Sequence, residues 1–357
     1  MTRPEINPDL ATLPLSSHVE HHVCLLADDD GRLPIINGRL PAGHHKLHQF
    51  VFGGCHHYES SELTQAGDVP TTWLQGDACR AGEMLSLQLL AISGVASEPV
   101  VLDGKPIGSV YGDDDARYCY LGGIVPADLT ASREEQARSV FDRMAEALES
   151  CGMKSTDIVR TWLYLDRLLE WYGPFNTVRT TWFNEQGIFD HMVPASTGIG
   201  AANPFGAALT AGLIAVQPLS DAARIEPVAS PLQCPALDYA SSFSRAVEVA
   251  VHDQRTLYVS GTASIDPDGN SVHLGDAEKQ VKLTMEVVTA ILESRGMSWS
   301  DAVRGIAYLK NITQDKPIYD AYCQANGIPN FPLAISHADV CRDDLLFEIE
   351  VDAVIVE

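Results

Sequence analysis

The stretch Arg160-Thr-Trp-Leu-Tyr-Leu165 returns further along the chain as Arg304-Gly-Ile-Ala-Tyr-Leu309, and reading both as strands decides the fold. Side chains alternate across a strand. Arg160, Trp162 and Tyr164 therefore share one face, while Val159, Thr161, Leu163 and Leu165 share the other. The later copy divides the same way, with Arg304, Ile306 and Tyr308 opposite Val303, Ala307 and Leu309. Working outward, Tyr120-Leu-Gly-Gly123 answers Tyr258-Val-Ser-Gly261, Gly152-Met153 answers Gly296-Met297, and the segment Ala208 to Val216 lies over Leu346 to Val354. Residues 120–218 and 258–356 thus repeat one order of elements: hairpin, helix, strand, helix, strand.

The helices have their own signals. Ser132-x-x-Glu135 is a capping-box pattern, and Val140, Met144 and Leu148 recur at helical spacing before Gly152 closes the run. In the second copy Asp276 caps a helix bearing Val281, Met285, Val288 and Leu292 on one face and ending at Gly296. Shorter helices follow at Phe175 to Glu185 and Lys316 to Ala325, and closing strands at Ala207 to Val216 and Leu345 to Val356. This succession predicts an α+β fold of tandem domains, each a mixed sheet with two helices on one face. The domains span residues 84–221 and 222–357, with residues 1–83 as an N-terminal region packed on them.

The helix-free faces are where chemistry can sit. In the last strand Phe347, Ile349 and Val351 form the apolar set, leaving Glu348, Glu350 and Asp352 on the other side. The first copy has Thr210 and Gly212 where the second has Glu348 and Glu350, so carboxylate chemistry belongs to one copy only. Arginine, aromatic and carboxylate groups converge on faces that meet between the copies, which predicts an inter-domain pocket. The same alternation also suits the wet face of a half-exposed strand. Arg160 and Arg304 equally suit ion pairs that hold the repeats together.

Composition narrows the classes. A chain of 357 residues with 45% hydrophobic content can bury two or three cores. No apolar run reaches the ~18 residues of a membrane span, and Met1-Thr-Arg-Pro-Glu5 lacks the pattern of an export signal. A cytoplasmic protein is expected. The formal charge of −24 disfavours nucleic acid and anionic membranes as partners, and any anionic substrate needs a local arginine cluster. Eight cysteines, Cys79 and Cys341 among them, lie scattered without a CxxC pair and read as reduced thiols. His44, His45, His48, His56 and His57 lack an accompanying carboxylate or cysteine set, so no metal site is expected there. Asp113-Asp-Asp115 reads as a solvated loop.

At these residues the repeat resembles the RidA/YjgF superfamily, whose small domain is chorismate mutase-like in fold. Ser260-Gly261, Gly296, Asp301-Ala-Val-Arg304 and Phe347-Glu-Ile-Glu350 carry the likeness. The tandem form, with Val193-Pro-Ala-Ser-Thr-Gly-Ile-Gly200 and Leu257-Tyr-Val-Ser-Gly-Thr-Ala-Ser264, is similar more specifically to the chorismatase family, over about residues 84 to 357. Those enzymes split chorismate into pyruvate and a ring acid. The resemblance implies that Glu348 is the catalytic acid, that residues 222–357 carry the site while 84–221 are the degenerate copy, and that neither metal nor organic cofactor is needed.

Breaking an enol ether begins with a proton delivered to its terminal methylene, so the acid's pKa must be raised by burial or by a like charge such as Glu350. Two substrate carboxylates call for guanidinium partners. Arg160 and Arg304 are the first choices, with Arg179 on the short helix behind them. Tyr164, Glu350, Ser196, Thr197, Thr262 and Ala263 are expected to line the same pocket. Cys341, seven residues before Glu348, implies the subgroup that makes 3-hydroxybenzoate rather than the dihydroxy acid of hydrolysis. A RidA-like enamine/imine deaminase, holding a carboxylate near Arg342, and a non-catalytic tandem binding module stay open. RidA-like domains usually form trimers; a tandem chain whose N-terminal region stands in for a third unit suggests a monomer.

Overall fold

The computed structural model describes residues 5–28, 33, 40–65, 69–76, 84–239 and 241–356, so Cys79 and Met1 to Pro4 lie outside it. Three sheets share one strand order. The first comprises β1 (Glu5–Asn7), β2 (Leu10–Pro14), β3 (Val19–Leu26), β4 (His45–Gly53), β5 (Thr71–Leu74) and β6 (Met84–Ser93), arranged β1-β2-β3-β6-β4-β5. The second comprises β7 (Glu98–Leu102), β8 (Lys105–Gly112), β9 (Ala116–Ile124), β10 (Ile158–Leu165), β11 (Ala195–Gly200) and β12 (Leu209–Pro218), arranged β7-β8-β9-β12-β10-β11. The third comprises β13 (Ala223–Val228), β14 (Ala246–Val251), β15 (Gln254–Ala263), β16 (Ala302–Leu309), β17 (Leu333–His337) and β18 (Phe347–Val356), arranged β13-β14-β15-β18-β16-β17.

The N-terminal region, expected to pack on the two domains and to stand in for a third unit, has the same strand order as the other two sheets. Its closing strand β6 runs from Met84 to Ser93, so the boundary expected at residue 84 cuts the first sheet. Each sheet ends in a parallel edge pair, β4 with β5, β10 with β11 and β16 with β17. The sequence reading missed β11 and β17. Both are short and follow proline, Pro194 and Pro332, which weakens their strand signal.

Helices α2 (Arg133–Ser150) and α3 (Leu168–Glu185) cover the second sheet, α4 (Ala277–Ser294) and α5 (Ile312–Ala325) the third, and α1 is a single turn at Glu62–Gln65. The Ser132/Glu135 capping box and the Asp276 cap are both formed. The two later helices start earlier than expected: α3 carries a non-helical Trp171 in front of its regular part, and Asn311 caps α5. No helix among the described residues is long and apolar enough to cross a membrane.

The sheets turn their helix-free faces toward one another. Phe50 and Phe52 of β4, Trp162 and Tyr164 of β10, and Ile306 and Tyr308 of β16 meet in one buried cluster. The Phe50 and Trp162 rings stand 5.2 Å apart, and the Tyr164 and Tyr308 hydroxyls are 3.0 Å apart. A bulge enters β10 between Ile158 and Arg160 and β16 between Ala302 and Arg304. It overturns one expectation about faces. Val159 packs in the inter-sheet cluster, and Val303 packs against Ala11, Leu13 and Val354, because the extra residue flips each valine away from the helices.

Candidate active site

Each junction between sheets opens a cleft between the parallel edge strand of one sheet and the third strand of the next. Thr71 faces Gly122 to Ile124 in one, and Leu333 and Ile335 face Leu26 in another. The junction of the second and third sheets holds the acid. This cleft is lined from one side by Tyr172, Arg179, Ser196 and Gly198, and from the other by Arg245, Gly261, Ala263, Cys341 and Glu348.

Strand register puts Glu348 there: on β18 it lies between Ala263 of β15 and Tyr308 of β16. The β15/β18 ladder shifts register between Val259 and Thr262, so Ser260 and Gly261 bulge toward the neighbouring sheet. A Cβ at Gly261 would lie 2.0 Å from Glu348 Oε1, so only glycine leaves room for the carboxyl. Thr197 Oγ1 accepts the Gly261 N–H at 3.1 Å, and the Ser196 N–H donates to Ser260 Oγ at 2.9 Å, stitching β11 to the bulge.

Glu348 is 5% exposed and makes no hydrogen bond to any described residue. Burial, reinforced by the negative Glu350, pushes its pKa up to about 8 against the opposing charges of Arg160 and Arg245. It is mostly a neutral acid at pH 7. Across the cleft, Arg179 is 1% exposed, donates through Nη2 to Asn176 at 2.8 Å, and leaves its buried Nε without a partner. Arg245 donates through Nε to the Cys234 carbonyl at 2.9 Å and leaves Nη2 without one. Its guanidinium stacks on Tyr239 and Phe243, 5.4 and 5.5 Å from the ring centres. Burial also raises the Cys341 thiol to about 12, with Glu348 adding to the shift, so the sulfur stays protonated.

Several residues expected here lie elsewhere. Arg160 is fully buried behind the cleft, donating to the Val259 carbonyl at 2.9 Å and to Thr197 Oγ1 at 2.8 Å, and pairing with Glu350 at 2.8 Å. Arg304 pairs with Glu350 at 2.8 Å and Asp352 at 3.0 Å and lies over the Trp162 ring. Both arginines pair with carboxylates of the chain and neither lines the cleft, although Arg160 keeps a buried Nε without a partner. Glu350 faces them and accepts the Trp162 indole N–H at 2.7 Å. Tyr164 is locked in the inter-sheet core with Tyr308. Thr262 turns its hydroxyl to the Ser260 carbonyl at 2.9 Å. Thr197 stands behind Gly261 rather than lining the cleft, whereas Glu348, Cys341, Arg179, Ser196 and Ala263 are brought together as expected.

The sequence reading missed Arg245, Tyr172 and Tyr239. One signal was present: residues 229–245 join β13 to β14, where the second sheet joins β7 to β8 by Asp103 and Gly104 alone. That longer connection carries Tyr239, Ser241, Phe243 and Arg245 over the acid. Arg342 lines the cleft as well, with its guanidinium 5.5 Å from the Tyr239 ring. Of the N-terminal histidines, His48 is buried against Phe50, bonded to Thr72 at 2.9 Å and kept neutral by burial, with its pKa lowered to about 3. Asp113 and Asp115, read as a solvated loop, flank His252 at 3.6 and 3.1 Å.

Comparison with known proteins agrees with this architecture. Residues 235–355 match the family model described as endoribonuclease L-PSP. A RutC family protein of Saccharolobus solfataricus is 34% identical over 77% of its length, which is 27% of this chain. The chain belongs to the RutC family, the RidA/YjgF-like group of its sequence resemblance. Over a longer span it is a homologue of the protein named 3-hydroxybenzoate synthase in Streptomyces hygroscopicus, at 28% identity over 69% of this chain and 76% of that one. A crystal structure titled as a chorismatase superposes with a TM-score of 0.68 over 93% of this chain and 98% of its own, at 18% identity, and shows the shared fold.

Proposed function

We propose that this chain cleaves the enolpyruvyl ether of chorismate, releasing pyruvate and a ring acid, with Glu348 as the general acid. The observation that carries the reading is a neutral carboxyl facing the same cleft as two buried guanidiniums with donors to spare. The name of the Streptomyces hygroscopicus relative, 3-hydroxybenzoate synthase, supports a ring acid of that kind as the product. Arg179 and Arg245 take the two substrate carboxylates, the role the sequence had given to Arg160 and Arg304. Glu348 passes its proton to the terminal methylene carbon and leaves an oxocarbenium ion. Water attacking that cation gives a hemiketal that collapses to pyruvate and the ring alcohol. When the neighbouring ring hydroxyl attacks instead, the enol-ether C–O bond and the ring C–O bond of that hydroxyl both break, and its oxygen leaves as the carbonyl oxygen of pyruvate. Loss of the proton on the ether-bearing ring carbon then aromatises the ring.

When the ring hydroxyl acts and the ring aromatises, 3-hydroxybenzoate and pyruvate together contain the atoms of chorismate and no water is consumed. The hydrolytic route takes up one water and gives the dihydroxy acid. Cys341, protonated and lining the cleft with Glu348, is the side chain that would keep a water from the cation, which favours the aromatic product. Neither a metal nor an organic cofactor enters these steps. The three like sheets further support a chain that works as a monomer in place of a trimer. Pure protein incubated with chorismate should yield equimolar pyruvate and 3-hydroxybenzoate, and Glu348→Gln, which keeps shape but has no acid proton, should lose ~10² to 10⁴ in rate. No pyruvate from the parent protein would overturn the substrate, and an undiminished Glu348→Gln would overturn the acid.

A further inference from the structure

Behind the cleft lies a buried cluster of four charges that no step of the reaction touches. Arg160 from β10 and Arg304, Glu350 and Asp352 from the third sheet are each at least nine-tenths buried. Arg160 bridges the two sheets, and Arg304 spans both carboxylates. Taking ions out of water is costly, and a buried ion set of this kind is weak as a source of stability. Its balance is the telling property: two guanidiniums offset two carboxylates, so the set is neutral by itself. Glu348 shares its strand face with Glu350 and Asp352, and no cation of the cluster is left over for it.

We infer that this self-balanced cluster is the device that keeps the proton on Glu348, and that Arg160, Arg304, Glu350 and Asp352 are positioning residues of the reaction rather than ligands of its substrate. The inference rests on Glu348 acting as the acid. The remaining groups facing Glu348 are Arg179 and Tyr172 from α3, Arg245 and Tyr239 from the connection before β14 and its lead-in, and Cys341 and Arg342 from the loop before β18. The thiol and phenols are neutral near pH 7, and the arginines on that side stand ready for substrate carboxylates. The cluster is thus the fixed charged part of the field: burial raises Glu348 first, the negative Glu350 adds to it, and Arg160, already paired with Glu350, opposes it together with Arg245. Glu350 itself, despite burial, is held below the usual range by Arg160 and Arg304 and by hydrogen bonds from Thr197 and Trp162.

The test unbalances the cluster in both directions and reads the alkaline limb of the pH profile of kcat/KM. Asp352→Asn and Glu350→Gln leave it one positive charge in excess and should move the limb to lower pH by about one unit. Arg304→Gln leaves one negative charge in excess and should move the limb to higher pH. Glu350→Asp keeps the charge and should restore the parental limb. A merely structural role would lower the plateau and leave every limb in place, and limbs that all shift the same way would equally overturn the inference. Should Glu350→Gln fail to fold, Asp352→Asn and Arg304→Gln carry the same opposition of sign. Infrared difference spectra of each variant against the same variant with Glu348→Gln follow the neutral carboxyl's carbonyl stretch without turnover. If the parent releases no pyruvate, the proposed reaction falls while these spectra still decide whether the cluster governs the proton.

Discussion

Replacing Gly261 by alanine adds one methyl group at the most crowded point of the cleft. The new Cβ would stand 2.0 Å from Glu348 Oε1, 3.0 Å from its Cδ and 3.2 Å from Thr197 Cγ2. Carbon and oxygen in ordinary contact stay well above 3 Å apart, so the carboxyl must retreat by about 1 Å. A misplacement of that size in a reacting group costs about 10²-fold in rate. Arg179 and Arg245 are not touched by the methyl, so substrate affinity should survive. The expected outcome for Gly261→Ala is a kcat about a hundredfold below the parent with KM changed by less than about threefold, since the loss falls on the transition state alone. Pyruvate release, coupled to lactate dehydrogenase and followed by NADH consumption, measures both constants. Near-ultraviolet circular dichroism of the variant establishes that the sheets still pack. A folded variant with kcat within threefold of the parent would refute the reasoning, because it would place the working acid away from the Gly261 bulge.

Arg179→Ala and Arg245→Ala should each raise KM for chorismate by about thirtyfold, on the order of 2 kcal/mol for a charge-assisted contact; initial rates across substrate concentration check this, and two unchanged values would remove both from the binding of the anion. Activity should fall tenfold per pH unit above about 8, because the general acid must be protonated and Glu348 loses its proton there; a profile flat to pH 10 would contradict an acid of that pKa. Cys341→Ala should release pyruvate at a comparable rate yet shift the ring product toward the dihydroxy acid, as the smaller side chain leaves space for a water of ~30 Å³. Chromatography of the two acids decides it, and an identical product ratio would reduce Cys341 to packing.

Much of this was legible in the chain. Strict alternation in Phe347 to Asp352 put three carboxylates on one face and three apolar residues on the other, as the sheet bears out. The faces of Arg160 and Arg304 were also readable, but their partners were not. Alternation tells which way a side chain points, while the charge it meets depends on the sheet packed opposite. Val159 and Val303 were misplaced because a bulge leaves no mark in periodicity. The N-terminal region was read as standing in for a third unit, but its strand order was not legible because its single-turn α1 offers no helical repeat to align with α3 or α5. Arg245 was hidden for a different reason: it belongs to an irregular connection, where neither period 2 nor period 3.6 applies, and only a comparison of hairpin lengths between copies would have singled it out.

The three-sheet layout bears on how such a site can change over time. Strand register makes Ser86, Thr210 and Glu348 counterparts, paired with Phe52, Tyr164 and Tyr308, and likewise Gln88, Gly212 and Glu350. In a ring of three identical subunits every codon is read out three times about the axis, and an ionisable group beside that axis confronts two copies of itself. Joining the units end to end releases each position from its twins. A substitution in one unit can then be selected for its own consequences, with serine and threonine free to stand where repetition would have demanded glutamate. Concatenation therefore works here as a licence for asymmetry, letting one unit carry the buried glutamate while its two relatives carry serine and threonine at that position.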